Sequence, residues 1–214
     1  MIEIDVKGHS GCQIDVVNDN GNIYVYKSTA DPKYLKRLAL QGKKQQEAGK
    51  SEYQHIRVPK VYEIQENRDT TVIKMQYVYS KNFIEFFEQA GFEQVDYLIG
   101  ALEYFVEHEI SKSKLQKVSP VVFQEKFAEI RCKVEKNRLY LTGRNELKPE
   151  IQRIIHRSQK IFDEMQEVLI PIGICHGDLT FSNILFNGNN YYLIDFLDSF
   201  IETPLQDIVK IRQD

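Results

Sequence analysis

Strand patterns and helix patterns occupy different parts of this chain of 214 residues. Short segments that alternate apolar and polar residues lie mainly before residue 80, and longer segments with apolar residues at helical spacing follow them. A parallel sheet would require strands and helices to alternate, and this order disfavours it. The sequence therefore predicts an α+β protein with two lobes, an N-terminal lobe over residues 1–78 and a C-terminal lobe over residues 79–214.

The N-terminal lobe is predicted to contain an antiparallel five-stranded sheet and one helix. The turn NDNG favours a hairpin, because Asn and Gly tolerate the positive φ angles of tight turns. The helix is expected over Asp31–Gly49, which starts with an acid and has Pro at its second position. The expected strands are IEIDV, CQIDVV, IYVYK, VPKVYEI and TVIKMQYVY.

The C-terminal lobe is predicted to be mainly helical. Ser119-Pro120 and Lys148-Pro149 are expected helix starts, and beyond Pro171 the short strands NILF and YYLIDF flank the turn NGNN. Thr203-Pro204-Leu205-Gln206 predicts a further helix, because it combines an N-cap, Pro at N1 and a capping-box Gln. The segments with helical spacing are FIEFFEQA, VDYLIGALEYFVEHEI, VVFQEKFAEIRCKVEKNRLYL and EIQRIIHRSQKIFDEMQEVL.

The composition and charge disfavour several classes of protein. A net charge of -3 and a pI of about 6.0 argue against nucleic acid as the main partner. The three cysteines lack CxxC spacing, which suits a reducing compartment. The N-terminus lacks the apolar core of a signal peptide, and apolar runs fall far short of the roughly 20 residues of a membrane helix. We therefore expect a cytoplasmic protein with neither a membrane nor a nucleic-acid partner.

One stretch carries residues suited to phosphoryl transfer. CHGDLTFSNIL starts at Cys175, and LIDF follows at Leu193. Transfer from a nucleotide needs one carboxylate to orient the attacking hydroxyl, and a second carboxylate with an amide to hold magnesium. Asp178, Asn183 and Asp195 supply these groups, and a hairpin between Asn183 and Asp195 would bring both metal ligands to the same end of a sheet.

This HGDxxxxN pattern, followed by an acid at the end of a strand, resembles the aminoglycoside phosphotransferase and choline kinase superfamily, which has a protein-kinase-like fold. Protein kinases have Arg where this chain has Gly177, and His-Gly-Asp is the form that small-molecule kinases use. The resemblance implies that Asp178 orients the acceptor hydroxyl. It also implies that Asn183 and Asp195 bind Mg²⁺, and that His176 packs under the loop as a structural residue.

The resemblance extends to a residue beyond the loop. Asp207 resembles the acid that braces the catalytic loop from the following helix. The alternative for Asp207 is a solvated acid in the first turn of that helix, where the helix dipole favours a negative charge.

The resemblance also covers the N-terminal third of the chain. It implies a turn over the nucleotide phosphates, in which Gly8, Ser10 and Gly11 allow close approach. It implies that Lys27, which closes the third strand, binds the phosphates. Glu47 is the acid expected to pair with Lys27 from the helix, with an ordinary surface glutamate as the alternative.

The segment between the two lobes is predicted to bind the adenine. Met75, Gln76, Tyr77 and Val78 follow an apolar strand and precede the helical region. The resemblance implies that they form the hinge, whose backbone groups read the edge of the base.

Taken together, the resemblance implies an ATP- and Mg²⁺-dependent phosphotransferase. The acceptor would be a hydroxyl of a small molecule, such as a sugar, an amino-alcohol or an aminoglycoside-like compound. The run IDFLDSFIETPLQD is similar to phosphotransferases found with bacterial capsular polysaccharide genes.

Two alternatives stay open. The HGDLTxSN form also resembles atypical Ser/Thr protein kinases of the KEOPS and RIO types, but these pass more directly from hinge to loop. Here a long helical stretch from Ser80 to Cys175 intervenes, as expected for the substrate wall of a small-molecule kinase. The second alternative is a nucleotide-binding, non-catalytic relic. The sequence stops at Asp214, soon after its last predicted helix begins, whereas related kinases continue with further helices.

Overall fold

The computed structural model describes residues 11–142, 147–188 and 190–214. The chain forms two compact units. The first contains the described residues as far as Ser113 together with Ile172–Asp214, and the second is Lys114–Pro171. Over the described ranges, no helix is both long enough and apolar enough to cross a membrane.

An antiparallel four-stranded sheet begins the first unit, in the order β1-β2-β5-β4. Asn20 and Gly21, with φ angles of 53° and 88°, form the turn between β1 and β2. These strands correspond to four of the five predicted ones, and the fifth, IEIDV, lies outside the described residues. The two-residue β3 (Ile56–Arg57) belongs to another sheet. The four strands are β1 (Gln13–Asp19), β2 (Asn22–Thr29), β4 (Val61–Glu66) and β5 (Thr71–Gln76).

The helix α1 (Leu35–Ala48) packs against this sheet. Gly42 permits the close approach, because a Cβ there would lie 2.8 Å from Ile73 Cδ1. The helix begins later than predicted, because Asp31 forms a turn in which its backbone oxygen accepts from the Tyr34 N–H at 2.8 Å. The buried face of α1 comprises Leu38, Ala39, Gln41, Gly42, Gln45 and Ala48.

The rest of the first unit surrounds a hydrophobic core. A small sheet joins β8 (Ile184–Asn187) and β9 (Asn190–Leu193) in a hairpin, and β3 pairs with β9 in parallel. The helices are α2 (Phe83–Gln89), α3 (Phe92–Lys112) and α7 (Pro204–Ile211). The core contains Leu98 and Phe105 of α3 together with Leu179, Leu193 and Phe196. The CHGDLTFSN segment therefore lies directly on this core.

The second unit is mainly helical. Its helices are α4 (Pro120–Lys136), α5 (Arg138–Thr142) and α6 (Lys148–Asp163), and β6 (Lys114–Val118) pairs with β7 (Val168–Ile172). Phe127 of α4 stacks on Phe162 of α6 with ring centroids 4.8 Å apart. The predicted helical segment EIQRIIHRSQKIFDEMQEVL ends early, because its last residues begin the apolar strand VLIPI.

Candidate active site

The loop between β7 and β8 is built on a buried, neutral histidine. His176 is fully buried, and burial lowers its pKa to about 4. Its Nε2 lies 2.7 Å from the carbonyl oxygen of Ile194, and its Nδ1 accepts from the Asp178 N–H at 3.3 Å. The neutral ring thus donates through Nε2 and accepts through Nδ1. It connects the loop to the end of β9.

Gly177 is required by the backbone of this loop. Its φ is +88°, and a Cβ at this position would lie 2.2 Å from the carbonyl oxygen of Leu197. The Leu197 N–H in turn donates to the carbonyl oxygen of His176 at 2.9 Å. The segment after β9 therefore packs against the loop too closely for any side chain at Gly177.

Asp207 braces the loop from α7. The side chain of Thr203 caps this helix by accepting from the Leu205 N–H at 3.3 Å. Asp207 is fully buried and accepts from the N–H groups of His176 at 2.6 Å and Gly177 at 2.7 Å. Burial raises the pKa of Asp207 to about 6, although these two donors act in the opposite direction. The structure therefore favours the bracing role for Asp207 over that of a solvated acid.

The carboxylate of Asp178 is held at both oxygens. Lys210 Nζ lies 2.9 Å from Asp178 Oδ1. Asn183 Nδ2 donates to the backbone oxygen of Asp178 at 2.8 Å and to Oδ2 at 3.3 Å. The amide of Asn183 thus turns its nitrogen toward Asp178, so its oxygen is the group left for a cation.

Asn183 and Asp195 meet at the base of the β8–β9 hairpin. The Ile194 N–H donates to the backbone oxygen of Asn183 at 3.0 Å, which brings the next residue, Asp195, alongside. Asp195 has a φ of 61°, an uncommon conformation that often occurs at functional sites. The two predicted metal ligands therefore lie together.

The donor chemistry at this position fits magnesium. Within the described ranges, no three His, Cys, Asp or Glu residues cluster so as to hold a metal ion by themselves. A site with one carboxylate and one amide oxygen suits Mg²⁺, which usually keeps several waters and takes further ligands from substrate phosphates. Such a site would be completed by a nucleotide.

Lys27 lies beside the predicted metal ligands. It is 4% exposed on β2, and its Nζ lies 2.8 Å from Asp195 Oδ1. A buried ammonium needs a charged partner, and the carboxylate of Asp195 provides it. The structure thus brings Lys27, Asn183 and Asp195 together.

Glu47 is not brought to Lys27, which corrects the predicted ion pair between them. Glu47 is exposed and pairs with Lys50 at 2.5 Å. The buried face of α1 passes through Gln41 and Gln45, and these side chains line a small cavity together with Lys27. At helical spacing, Glu47 points away from this face.

The structure describes all four residues of the predicted hinge, but only Gly11 of the predicted turn over the phosphates. Met75 and Gln76 end β5, and Val78 is buried in the segment that leads to α2. The Gln76 N–H donates to the Lys60 backbone oxygen at 2.8 Å. In the predicted turn, Gly8 and Ser10 lie outside the described residues, and Gly11 is exposed with a φ of +73°.

Two lysines escaped the sequence analysis. Lys44 of α1 donates to the Leu197 carbonyl oxygen at 2.5 Å and to Glu202 Oε2 at 2.6 Å. Beside it, burial raises the pKa of the Cys175 thiol to about 12, so this thiol stays protonated. Lys210 is the other lysine, and its position was readable from the sequence. It follows Asp207 by one helical turn, and therefore lies on the same face of α7.

Comparison with known proteins gives one family match and several structures of similar fold. Residues 114–213 match the model of the phosphotransferase enzyme family. No protein of curated function matches the sequence. Among solved structures, the GDP and kanamycin complex of APH(2")-IIIa has a TM-score of 0.71 and 14% identity. The alignment covers 99% of this chain and 72% of that one.

Two further solved structures have the same fold. A thermostable mutant of the aminoglycoside phosphotransferase APH(4)-Ia, in its apo form, has a TM-score of 0.63 and 10% identity, with 97% of this chain and 71% of that one covered. Spectinomycin phosphotransferase APH(9)-Ia, solved with ADP and spectinomycin, has a TM-score of 0.57 and 16% identity, with 97% and 65% covered. The expected resemblance to the aminoglycoside phosphotransferase superfamily is confirmed. The narrower resemblance to capsular-biosynthesis proteins gains no support from these matches.

Proposed function

We propose that this chain is an ATP-dependent small-molecule kinase, because the segment that contains Asp178 matches the phosphotransferase family. It moves the γ-phosphate of ATP onto a hydroxyl of a sugar, an amino-alcohol or an aminoglycoside-like compound. The nucleotide lies between a lobe over residues 1–78 and a lobe over residues 79–214.

The observation that carries this proposal is the grouping of Lys27, Asp178, Asn183 and Asp195. Hydrogen bonds and an ion pair link these four residues: Lys27 to Asp195, Asn183 to Asp178, and the backbone of Asn183 to Ile194, the residue before Asp195. Lys27 is distant in sequence from the other three. A structural hairpin would not need a buried ammonium, two carboxylates and an amide at one end. Phosphoryl transfer needs all of these groups.

The described residues suggest a division of roles. Asp178 accepts a hydrogen bond from the acceptor hydroxyl and orients its oxygen toward the γ-phosphorus. As the new O–P bond forms, the bond from the γ-phosphorus to the β,γ-bridging oxygen breaks and its electron pair stays with ADP. The hydroxyl proton passes to the Asp178 carboxylate. Lys27 contributes positive charge to the α and β phosphates, which helps to position the nucleotide.

Asn183 and Asp195 are the residues that would hold Mg²⁺. When bound, the ion would neutralise charge on the phosphate oxygens. Related solved structures were determined with ADP, AMP-PNP or GDP, which supports a nucleotide in this site. The triphosphate form follows from the proposed reaction.

Two measurements test the proposal. The first is ATP consumption with a panel of alcohols, amino-alcohols, sugars and aminoglycosides, for which we expect turnover that depends on one class of acceptor. The second is thermal stabilisation by ATP with and without Mg²⁺. Asp195→Asn should abolish the Mg²⁺-dependent part of the shift, because it removes one of the two proposed ligands. An unchanged shift in this variant would remove Asp195 from the metal site.

A further inference from the structure

The pairing of Lys210 with Asp178 has no place in the roles described so far. The side chain of Lys210 is 31% exposed and that of Asp178 27%, with Nζ and Oδ1 2.9 Å apart. Ion pairs in open solvent are weak and change partners readily. This one is partly withdrawn from water, and it involves the carboxylate to which we assign the acceptor hydroxyl.

The position of Lys210 is fixed by the same helix that braces the loop. Thr203 caps α7, and Asp207 binds the backbone of His176 and Gly177. Lys210 follows Asp207 by one turn and so lies on the face directed at the loop. The helix therefore places the Lys210 ammonium beside Asp178.

The two oxygens of Asp178 have different partners. Oδ1 is bound to Lys210, and Oδ2 is approached by Asn183 Nδ2. The terminal torsion of an aspartate is soft, so a carboxylate held at one oxygen alone could rotate. Contacts at both oxygens fix the plane of the carboxylate and the directions of its remaining lone pairs.

We propose that Lys210 is a positioning residue for phosphoryl transfer. It acts through Asp178, whose carboxylate it holds in the one orientation that aligns the acceptor hydroxyl with the γ-phosphorus. The inference rests on the proposed function, since it concerns the same reaction. A misaligned nucleophile is costly in such reactions, and a shift of about 1 Å can lower the rate roughly a hundredfold.

The test compares Lys210→Met, which keeps the length of the side chain but removes its charge, with Lys210→Arg. The assay is ATP turnover with the best acceptor of the panel, or with water if only hydrolysis is seen. Lys210→Met should lower kcat by roughly ten- to a hundredfold and leave the KM for ATP within a few-fold. Lys210→Arg should recover most of the lost rate, because a guanidinium can still bind Oδ1.

A control and a double variant separate positioning from stability. Lys43→Met removes another ion pair, to Glu66 at 2.6 Å, from the exposed surface and should leave kcat unchanged. In an Asp178→Asn background, Lys210→Met should cause little further loss, because its route of action is already broken. Melting temperatures of all variants show whether a loss of rate follows a loss of fold.

The outcomes distinguish the inference from the proposed function. If the wild type turns over and Lys210→Met does so equally well, the inference is overturned and the function stands. If Lys210→Met lowers kcat equally in the wild type and in the Asp178→Asn background, the inference is also overturned. Parallel losses of kcat, ATP affinity and melting temperature in Lys210→Met would overturn it too. A wild type that binds ATP with Mg²⁺ but transfers phosphate to no acceptor and to no water would overturn the function, and the inference with it.

Discussion

The loop between β7 and β8 and the inserted helical unit, Lys114–Pro171, differ in how their residues are held. In the loop, Cys175, His176 and Leu179 are fully buried, and its backbone is bound by Asp207 from α7 and by Leu197 from beyond β9. In the unit Lys114–Pro171, neither α4 nor α6 has a buried residue along its described length.

This difference shows where the sequence is constrained. Each group of the loop has partners that are distant in the chain, so a change at one position disturbs several contacts. The helices of the inserted unit are held by a few partly buried pairs, such as Phe127 with Phe162. Substitutions should therefore be costly in the loop and mild in the inserted unit, and three predictions test this contrast.

The largest effect is expected from Gly177→Ala. The new Cβ would meet the Leu197 carbonyl oxygen, and φ would remain in the left-handed region. We expect the free energy of unfolding in urea to fall by about 4 kcal/mol or more, or folding to fail. Gly100→Ala on α3 is the matched control. A Cβ there meets nothing within 4 Å, so helix propensity should stabilise the protein by about 0.5–1 kcal/mol. Equal behaviour of the two variants would break the contrast.

The pH dependence of stability should show two opposed groups within the loop. His176 has a pKa of about 4 in the folded protein and about 6.5 when unfolded, so its contribution lowers the free energy of unfolding as pH falls from about 6.5 to 4. Asp207 has a pKa of about 6 in the folded protein and about 4 when unfolded, so its contribution lowers the free energy of unfolding as pH rises from about 4 to 6. Each group changes the free energy of unfolding by about 3 kcal/mol, in opposite directions. The free energy of unfolding of the wild type should therefore vary little between these pH values.

His176→Gln separates the two contributions. An amide can still donate to the Ile194 carbonyl oxygen, but it does not titrate. The free energy of unfolding of this variant should fall by about 3 kcal/mol between pH 4 and 6, which is the contribution of Asp207 alone. A variant that instead gains stability with rising pH over this range would show that the pKa of Asp207 is not raised.

The smallest effect is expected in the inserted unit. Ile161 on α6 is 67% exposed, so Ile161→Ala should change the free energy of unfolding by less than about 0.5 kcal/mol. Chemical denaturation at the pH optimum of stability is sufficient to measure it. A loss of about 2 kcal/mol would mean that this face is buried in solution, and the contrast between the two regions would then need revision.

The parts of the fold that could be predicted depend on local chemistry. The NDNG turn, the Thr203-Pro204 helix start and the spacing of Asp178, Asn183 and Asp195 each rest on a few neighbouring residues. The two-residue β3 escaped prediction, because its partner β9 follows more than a hundred residues later. The requirement for Gly177 likewise comes from the Leu197 carbonyl oxygen, which no local pattern indicates.

The corrected prediction at the site, the pairing of Glu47 with Lys27, has a physical cause of the same kind. The charge of Glu47 favours an ion pair, but the spacing of Leu38, Gln41, Gln45 and Ala48 defines a buried face of α1 that excludes Glu47. The partner of Lys27 is Asp195, and only the folded chain brings these two residues together.

The central claim is that Asp178 acts on the acceptor and not on the nucleotide. Asp178→Asn should lower turnover by roughly two to four orders of magnitude, the range for general-base catalysis, and leave ATP affinity within a few-fold. Lys27→Ala is the contrasting variant and should lower both turnover and ATP affinity, because the Lys27 ammonium interacts with the phosphates before and during transfer. The decisive measurement is kcat together with the Kd for ATP, in these two variants and the wild type. Equal losses of ATP binding in the two variants, or full turnover without the Asp178 carboxylate, would contradict the account.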